Sequence, residues 1–201
     1  METITVYFDY VCPYAKRGME LASLIEKPLG LTFKWKHYSL YQGNYKGADD
    51  WQIWQDDLSE DSKDGGKGLL PFLASYAAQK QNDPYTNFRL KMFQYYHDEG
   101  KTYSLNNILE IAEQTNLSVK QFEHDIKSQE AREALEQDHK GAVSKLISAT
   151  PTFCFESGAA AYFRFKILPE TEAKAITFFN DYRNMIENYP DLETIRRPYK
   201  R

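Results

Sequence analysis

Hydrophobic and polar positions change period twice along the chain. Residues 3 to 9 alternate around β-branched and aromatic side chains, which predicts a strand. Pro13 suits the first turn of a helix, where its missing N–H costs nothing. Met19, Leu21, Ala22, Leu24 and Ile25 then supply one apolar face, and Pro28-Leu29-Gly30 ends it. Leu31 to Tyr38 alternates again as a second strand. Strand, helix, strand is a βαβ unit.

After Leu40 the two-residue period disappears. Asp56 to Gly68 is acidic and then glycine-rich, and reads as a solvated loop; its carboxylate spacing does not match a calcium loop. Helical periods follow over Leu69 to Ala78, Pro84 to His97, Ser104 to Gln114, Ser118 to Ile126 and about Glu130 to Leu146. Ser118-Val119-Lys120-Gln121 matches a capping box. Strand character returns at Thr152 to Phe155, followed by a Ser157-Gly158 turn and a second run from Ala161 to Ile167, a hairpin. A last helix starts at Pro169, with Ala173, Ile176, Phe179 and Ile186 apolar. The simplest architecture is one α/β domain over 1–201. Its sheet-forming parts are 1–42 and 148–190, with a helical insertion at about 45–147.

Composition narrows the function. The chain has 201 residues, 42% of them hydrophobic, enough for a sizeable core. A net charge of -4 gives no reason to expect nucleic acid. The basic run Arg196-Arg197-Pro198-Tyr199-Lys200-Arg201 reads as a solvated tail. No apolar run approaches a membrane span. The chain opens on a strand pattern with no charged-then-apolar leader, so a cytoplasmic protein without a membrane partner is expected. The two cysteines are far apart, which excludes a disulfide scaffold. The four histidines lack ligand spacing, so no metal is expected. Oligomeric state is left open, a homodimer included.

The candidate chemistry begins at Cys12, between the first strand and the first helix. Unpaired N–H groups and the helix dipole favour an anion there, and a thiolate is one. Lys16 and Arg17 in the same turn would act the same way, and Pro13 fixes the backbone that aims the N–H groups. A buried, inert cysteine is the plain alternative. The second element is Thr150-Pro151. Proline before a strand cannot donate to the ladder, and a cis bond is plausible at this X–Pro step. The βαβ…ββα order brings this turn beside the first helix. Its free backbone groups would then pair with an extended peptide or thiol ligand near Cys12.

With "VYFDYVCPYA", the helical insertion, the run "ILEIAEQTNLSVKQFEHDI…HKGAVSKLISATPTFCF" and its proline, the chain resembles the DsbA-like branch of the thioredoxin superfamily. That branch includes DsbA-type oxidoreductases, FrnE-like proteins, 2-hydroxychromene-2-carboxylate isomerases and kappa-class glutathione transferases. The resemblance covers nearly the whole chain. It implies a thioredoxin-like fold, Cys12 as nucleophile, Pro13, Tyr14, Thr150 and Pro151 at the substrate, and a thiol or disulfide substrate, peptide or small. No cofactor is obligatory; glutathione is a candidate co-substrate, which the resemblance does not itself carry over.

The departures are informative. Family oxidoreductases carry a Cys-x-x-Cys pair, and Ala15 replaces the second sulfur. A mixed disulfide at Cys12 must then be resolved by an outside thiol. The isomerase and transferase members carry Ser-Pro-Tyr-type motifs, where the hydroxyl stabilises a glutathione thiolate. "CPYA" lies between the two patterns, so three readings stand: a monothiol thiol-disulfide oxidoreductase, a glutathione-dependent isomerase or transferase, and a non-catalytic binding module. Against the transferase reading, "CFESGAAAYFRFKILPE" lacks the glycine and acidic-basic cluster those families use for glutathione. Cys154 lies three residues past Pro151, about 10 Å along an extended chain and beyond the roughly 7 Å limit for a disulfide, so it reads as core. Tyr10 and Tyr14 are placed at a pocket rim. Trp51, Trp54, Phe88 and Tyr95 are read as insertion core, and His37 as structural.

Overall fold

The alternation near the N-terminus builds β1, Glu2–Phe8, whose two faces meet different partners. The structure is a computed structural model that describes residues 1–47, 50–58, 68–81, 85–195 and 197. From β1 the chain runs into α1, Pro13–Leu29, and β2, Leu31–His37. α1 continues through Pro28 and stops where Gly30 takes a left-handed φ of 62° and donates to the Glu26 and Lys27 carbonyls. β2 pairs parallel to β1, with Val6 opposite Trp35.

The helical segment holds α2, Leu40–Asn44, a 3-10 turn at Ile53–Gln55, α3, Leu69–Gln79, α4, Tyr85–His97, α5, Leu105–Gln114, α6, Val119–Ile126, and α7, Gln129–Val143. α2 shows no sequence period because it is one turn long. It forms on its cap, the Ser39 hydroxyl accepting from the Gln42 N–H. The predicted capping box of α6 does not form. The Ser118 side chain makes no cap bond, and its backbone N–H donates to Gln81 instead. α7 ends at Val143, short of Leu146. There the Ile147 N–H returns to the Ala142 carbonyl and Leu146 sits at φ 60°. Residues 59–67 of the predicted loop, Pro84, and Arg196 with 198–201 of the predicted tail lie outside the described residues.

β3, Thr152–Cys154, and β4, Ala160–Tyr162, complete a four-stranded sheet of order β2-β1-β3-β4, with β3 antiparallel to both neighbours. β4 is shorter than the run to Ile167 predicts. Past Tyr162 the strand faces the turn before β3, where the Phe163 N–H donates to the Pro151 carbonyl at 3.0 Å. α8, Glu172–Asn188, starts on the Thr171 cap and not at Pro169, and buries Ala175, Phe179 and Tyr182 while Ala173 is exposed.

Ile4, Val6 and Phe8 face the main core, where Phe153 meets Phe33, Phe163, Phe179 and Tyr182 from β2, the end of β4 and α8. Tyr7 faces a smaller cluster with Tyr38, Ala142 and Ile147. Burying a large aromatic such as Phe153 is worth about 3–5 kcal/mol against truncation, so this core holds the sheet end beneath α1 firmly. Trp54, Phe88 and Tyr95 are buried, and Trp51 is half-buried.

Candidate active site

Cys12 is the N-cap of α1. Its own N–H donates to the Asp9 carbonyl at 3.1 Å, and its carbonyl accepts from Ala15 and Lys16, which opens the helix. The side chain makes no bond to the helix N-terminus. Instead Sγ donates to the Thr150 carbonyl at 3.2 Å. The Thr150–Pro151 peptide is cis. Cys12 is 6% exposed, so the sulfur lies in a recess between the start of α1 and the turn before β3. Gly18 makes that approach close. A Cβ there would lie 2.9 Å from Pro151 Cγ, so any larger residue would push the turn away.

The structure brings Cys12, Pro13, Tyr14, Thr150 and Pro151 into one neighbourhood and corrects several expectations about it. The turn does not offer free carbonyls, because that of Thr150 is taken by Cys12 and that of Pro151 by Phe163. The Thr150 hydroxyl is buried without a partner among the described residues. Lys16 and Arg17 are not free charges beside the sulfur. Lys16 pairs with Asp98 at 2.6 Å and Glu20 at 3.1 Å, and Arg17 lies 3.7 Å from Glu20.

Tyr10 is core and not rim. It is fully buried, its hydroxyl donates to Ser75, and its ring packs against Phe8 and Phe93. Tyr14 is half-buried and carries the Arg164 guanidinium over its ring, 4.2 Å from the centroid. Ala15 is fully buried where the family's second sulfur stands. Cys154 is half-buried and packs with the separate Tyr7 cluster, where burial pushes its thiol up against the opposing pull of Lys145.

Sequence reasoning missed four residues here. Asp9 is buried at the end of β1. One carboxylate oxygen accepts from the Val11 N–H at 3.1 Å and the other from the Leu40 N–H at 2.8 Å, which ties the Cys12 turn to α2. Burial pushes this carboxyl up to about 6, against those two hydrogen bonds. An aspartate directly after a strand is an Asx-turn signal that could have marked it. His97 donates from Nε2 to the Tyr10 carbonyl at 2.8 Å; burial is the main cause that lowers its pKa. Gly18, mid-helix, was legible as a close-approach position. Arg164 had no local signal. His37 is buried against Phe8 and Phe72, with Nδ1 3.4 Å from Asp138 and Nε2 unpartnered among the described residues. One ring nitrogen is thus paired and the other, among the described residues, is not.

A cysteine capping the first helix, faced by a cis-proline turn on a βαβ…ββα sheet with a helical insertion, defines a thioredoxin-like protein. The chain matches the DSBA-like thioredoxin domain over residues 3–166 and belongs to that family. Among solved structures it is similar to a cytosolic disulfide reductase, DsbM, from Pseudomonas aeruginosa with GSH (14% identity, 90% of this chain and 99% of that one, TM-score 0.63). A 2-hydroxychromene-2-carboxylate isomerase matches at 14% identity over 96% and 100%, TM-score 0.64. The DsbA disulfide interchange protein from Klebsiella pneumoniae matches at 10% identity over 92% and 88%, TM-score 0.60. A search of curated protein sequences finds no match. Among the described residues, no helix is long and apolar enough to cross a membrane.

Proposed function

We propose that this protein is a monothiol thiol-disulfide oxidoreductase acting through Cys12. The carrying observation is the Cys12 sulfur at 3.2 Å from the carbonyl that precedes cis-Pro151, with alanine at 15. Cys12 loses its thiol proton to water, the thiolate attacks one sulfur of a disulfide, the old S–S bond breaks, and the departing thiolate takes a proton from water. With no partner sulfur at 15, the mixed disulfide waits for an external thiol. That thiol attacks, forms the product disulfide and returns Cys12. Glutathione is the co-substrate of this reading, which the likeness to a disulfide reductase solved with GSH supports. A reducing compartment such as the cytoplasm supplies the resolving thiol.

The single sulfur also fits a second reading, a glutathione-dependent isomerase or transferase in which Cys12 orients a glutathione sulfur without bonding it; the likeness to an isomerase favours it. One experiment separates the two. Cys154→Ala protein is incubated with glutathione disulfide and its intact mass measured. The oxidoreductase reading expects one glutathione adduct, reversed by free glutathione and absent after Cys12→Ser. Tight glutathione binding with no adduct, surviving Cys12→Ser, supports the second reading and overturns the first.

A further inference from the structure

Arg164 lies two residues past the end of β4 and is exposed. Its guanidinium donates to the Tyr14 hydroxyl and lies over the Tyr14 ring, and its charge acts on the Tyr162 phenol. Both tyrosines belong to the Cys12 neighbourhood. Tyr14 is two residues past Cys12 on α1. Tyr162 is the register partner of Thr152, next to Pro151. Phe163 points into the core, which leaves Tyr162 and Arg164 on the outer side. Burial and the nearby Cys12 push the Tyr162 phenol up, while Arg164 pulls it down, so these three groups share one electrostatic environment.

The local charge balance distinguishes Arg164. Lys16 and Arg17, the other cations near the start of α1, are held by Glu20 and Asp98. Arg164 is held by the Tyr14 phenol and has no carboxylate partner among the described residues. A guanidinium is a planar fork that matches a carboxylate with two parallel hydrogen bonds. A tyrosine that fixes the fork in advance lowers the cost of ordering it on binding. The recessed Cys12, 6% exposed, favours a slender reactant over a folded protein surface.

We infer that Arg164, braced by Tyr14, is a carboxylate subsite beside Cys12, and that the substrates are small thiols and disulfides bearing a carboxylate near the sulfur. This rests on the exchange reading above and names its substrate class. The chemistry is unchanged: Cys12 bonds one sulfur of the acidic disulfide, and the other leaves as a thiolate. Arg164 transfers no proton; it positions the carboxylate.

The test uses full-length Cys154→Ala protein and two disulfides of similar size, dithiodiglycolate, which is acidic, and hydroxyethyl disulfide, which is neutral. The rate of adduct formation at Cys12 is divided, for each, by the rate with free cysteine. The readout is the acidic-to-neutral ratio. It is expected to exceed one, to shrink with added salt, to fall roughly tenfold in Arg164→Gln and to recover in part in Arg164→Lys. A ratio that Arg164→Gln leaves within twofold overturns the subsite while the exchange reading stands. An equal loss for both disulfides also overturns it, because Arg164 then only shapes the site. Failure of Cys12 to react with either disulfide overturns both readings.

Discussion

The Cys12 sulfur donates to the carbonyl of Thr150, 138 residues away in sequence, at 3.2 Å. This bond joins the two halves of the fold at the point where the chemistry is proposed. It gives the resting thiol a defined direction, toward the turn and not toward the helix N–H groups. Anything that moves the turn changes the setting of the sulfur.

Gly18 is the most direct handle on that relationship. Gly18→Ala places a methyl 2.9 Å from Pro151 Cγ and 3.6 Å from the Phe153 ring. The turn must retreat, at about 1–3 kcal/mol. The expected outcome is a lower denaturation midpoint together with a changed rate of adduct formation at Cys12. Because Ala normally favours a helix over Gly by about 1 kcal/mol, a gain in stability would show that Pro151 yields freely.

Ala15→Cys restores a second sulfur one helical turn from Cys12. The mixed disulfide should then no longer accumulate, because the introduced thiol attacks it and releases the bound one. Intact mass after incubation with glutathione disulfide checks this. Loss of two hydrogens with no stable glutathione adduct is expected, in place of the single adduct of the Ala15 protein.

Asp9 and His139 impose opposite pH dependences on stability. Asp9 has its folded pKa raised from 3.8 to about 6 by burial. The native state therefore binds more protons than the unfolded chain between those values. The stabilisation is fully present below about pH 4 and is lost as pH rises through 6, by up to roughly 3 kcal/mol. His139 is stacked on Tyr38, and burial lowers its pKa from 6.5 to about 4. There the native state binds fewer protons, so stability is lost as pH falls from 6.5 to 4. His97, also lowered by burial, acts in the same direction as His139. Denaturant midpoints measured from pH 4 to 6.5 should show Asp9→Asn losing stability on acidification more steeply than the parent protein. His139→Asn should lose it less steeply. A profile for Asp9→Asn parallel to the parent contradicts the buried-carboxyl account.

These handles differ in how visible they are along the chain. β1, α1 and β2 were legible because each has a clean period, with Pro13 opening α1 and Gly30 separating it from β2. Cys12 and Thr150-Pro151 were legible as motifs, and the element order was enough to bring them together. The capping box at Ser118 was misleading, because Gln81, just past the end of α3, takes the N–H. Lys16 shows the same limit. Its charge is visible in sequence, but the Asp98 that pairs with it lies 82 residues on. Tyr10 and Tyr14 look alike four residues apart, yet one is core and the other meets Arg164, because the helix starts between them. Local pattern reveals elements and turns; which polar groups pair across the fold is set by packing.

The central claim is that Cys12 turns over as a lone sulfur with glutathione as resolving thiol. The direct measurement is the steady-state, glutathione-dependent reduction of the mixed disulfide between glutathione and hydroxyethyl thiol, with Cys154→Ala protein and the same protein carrying Cys12→Ser. The account predicts turnover above the uncatalysed rate for the first and none for the second. Equal turnover by the two, or none by either, would contradict it.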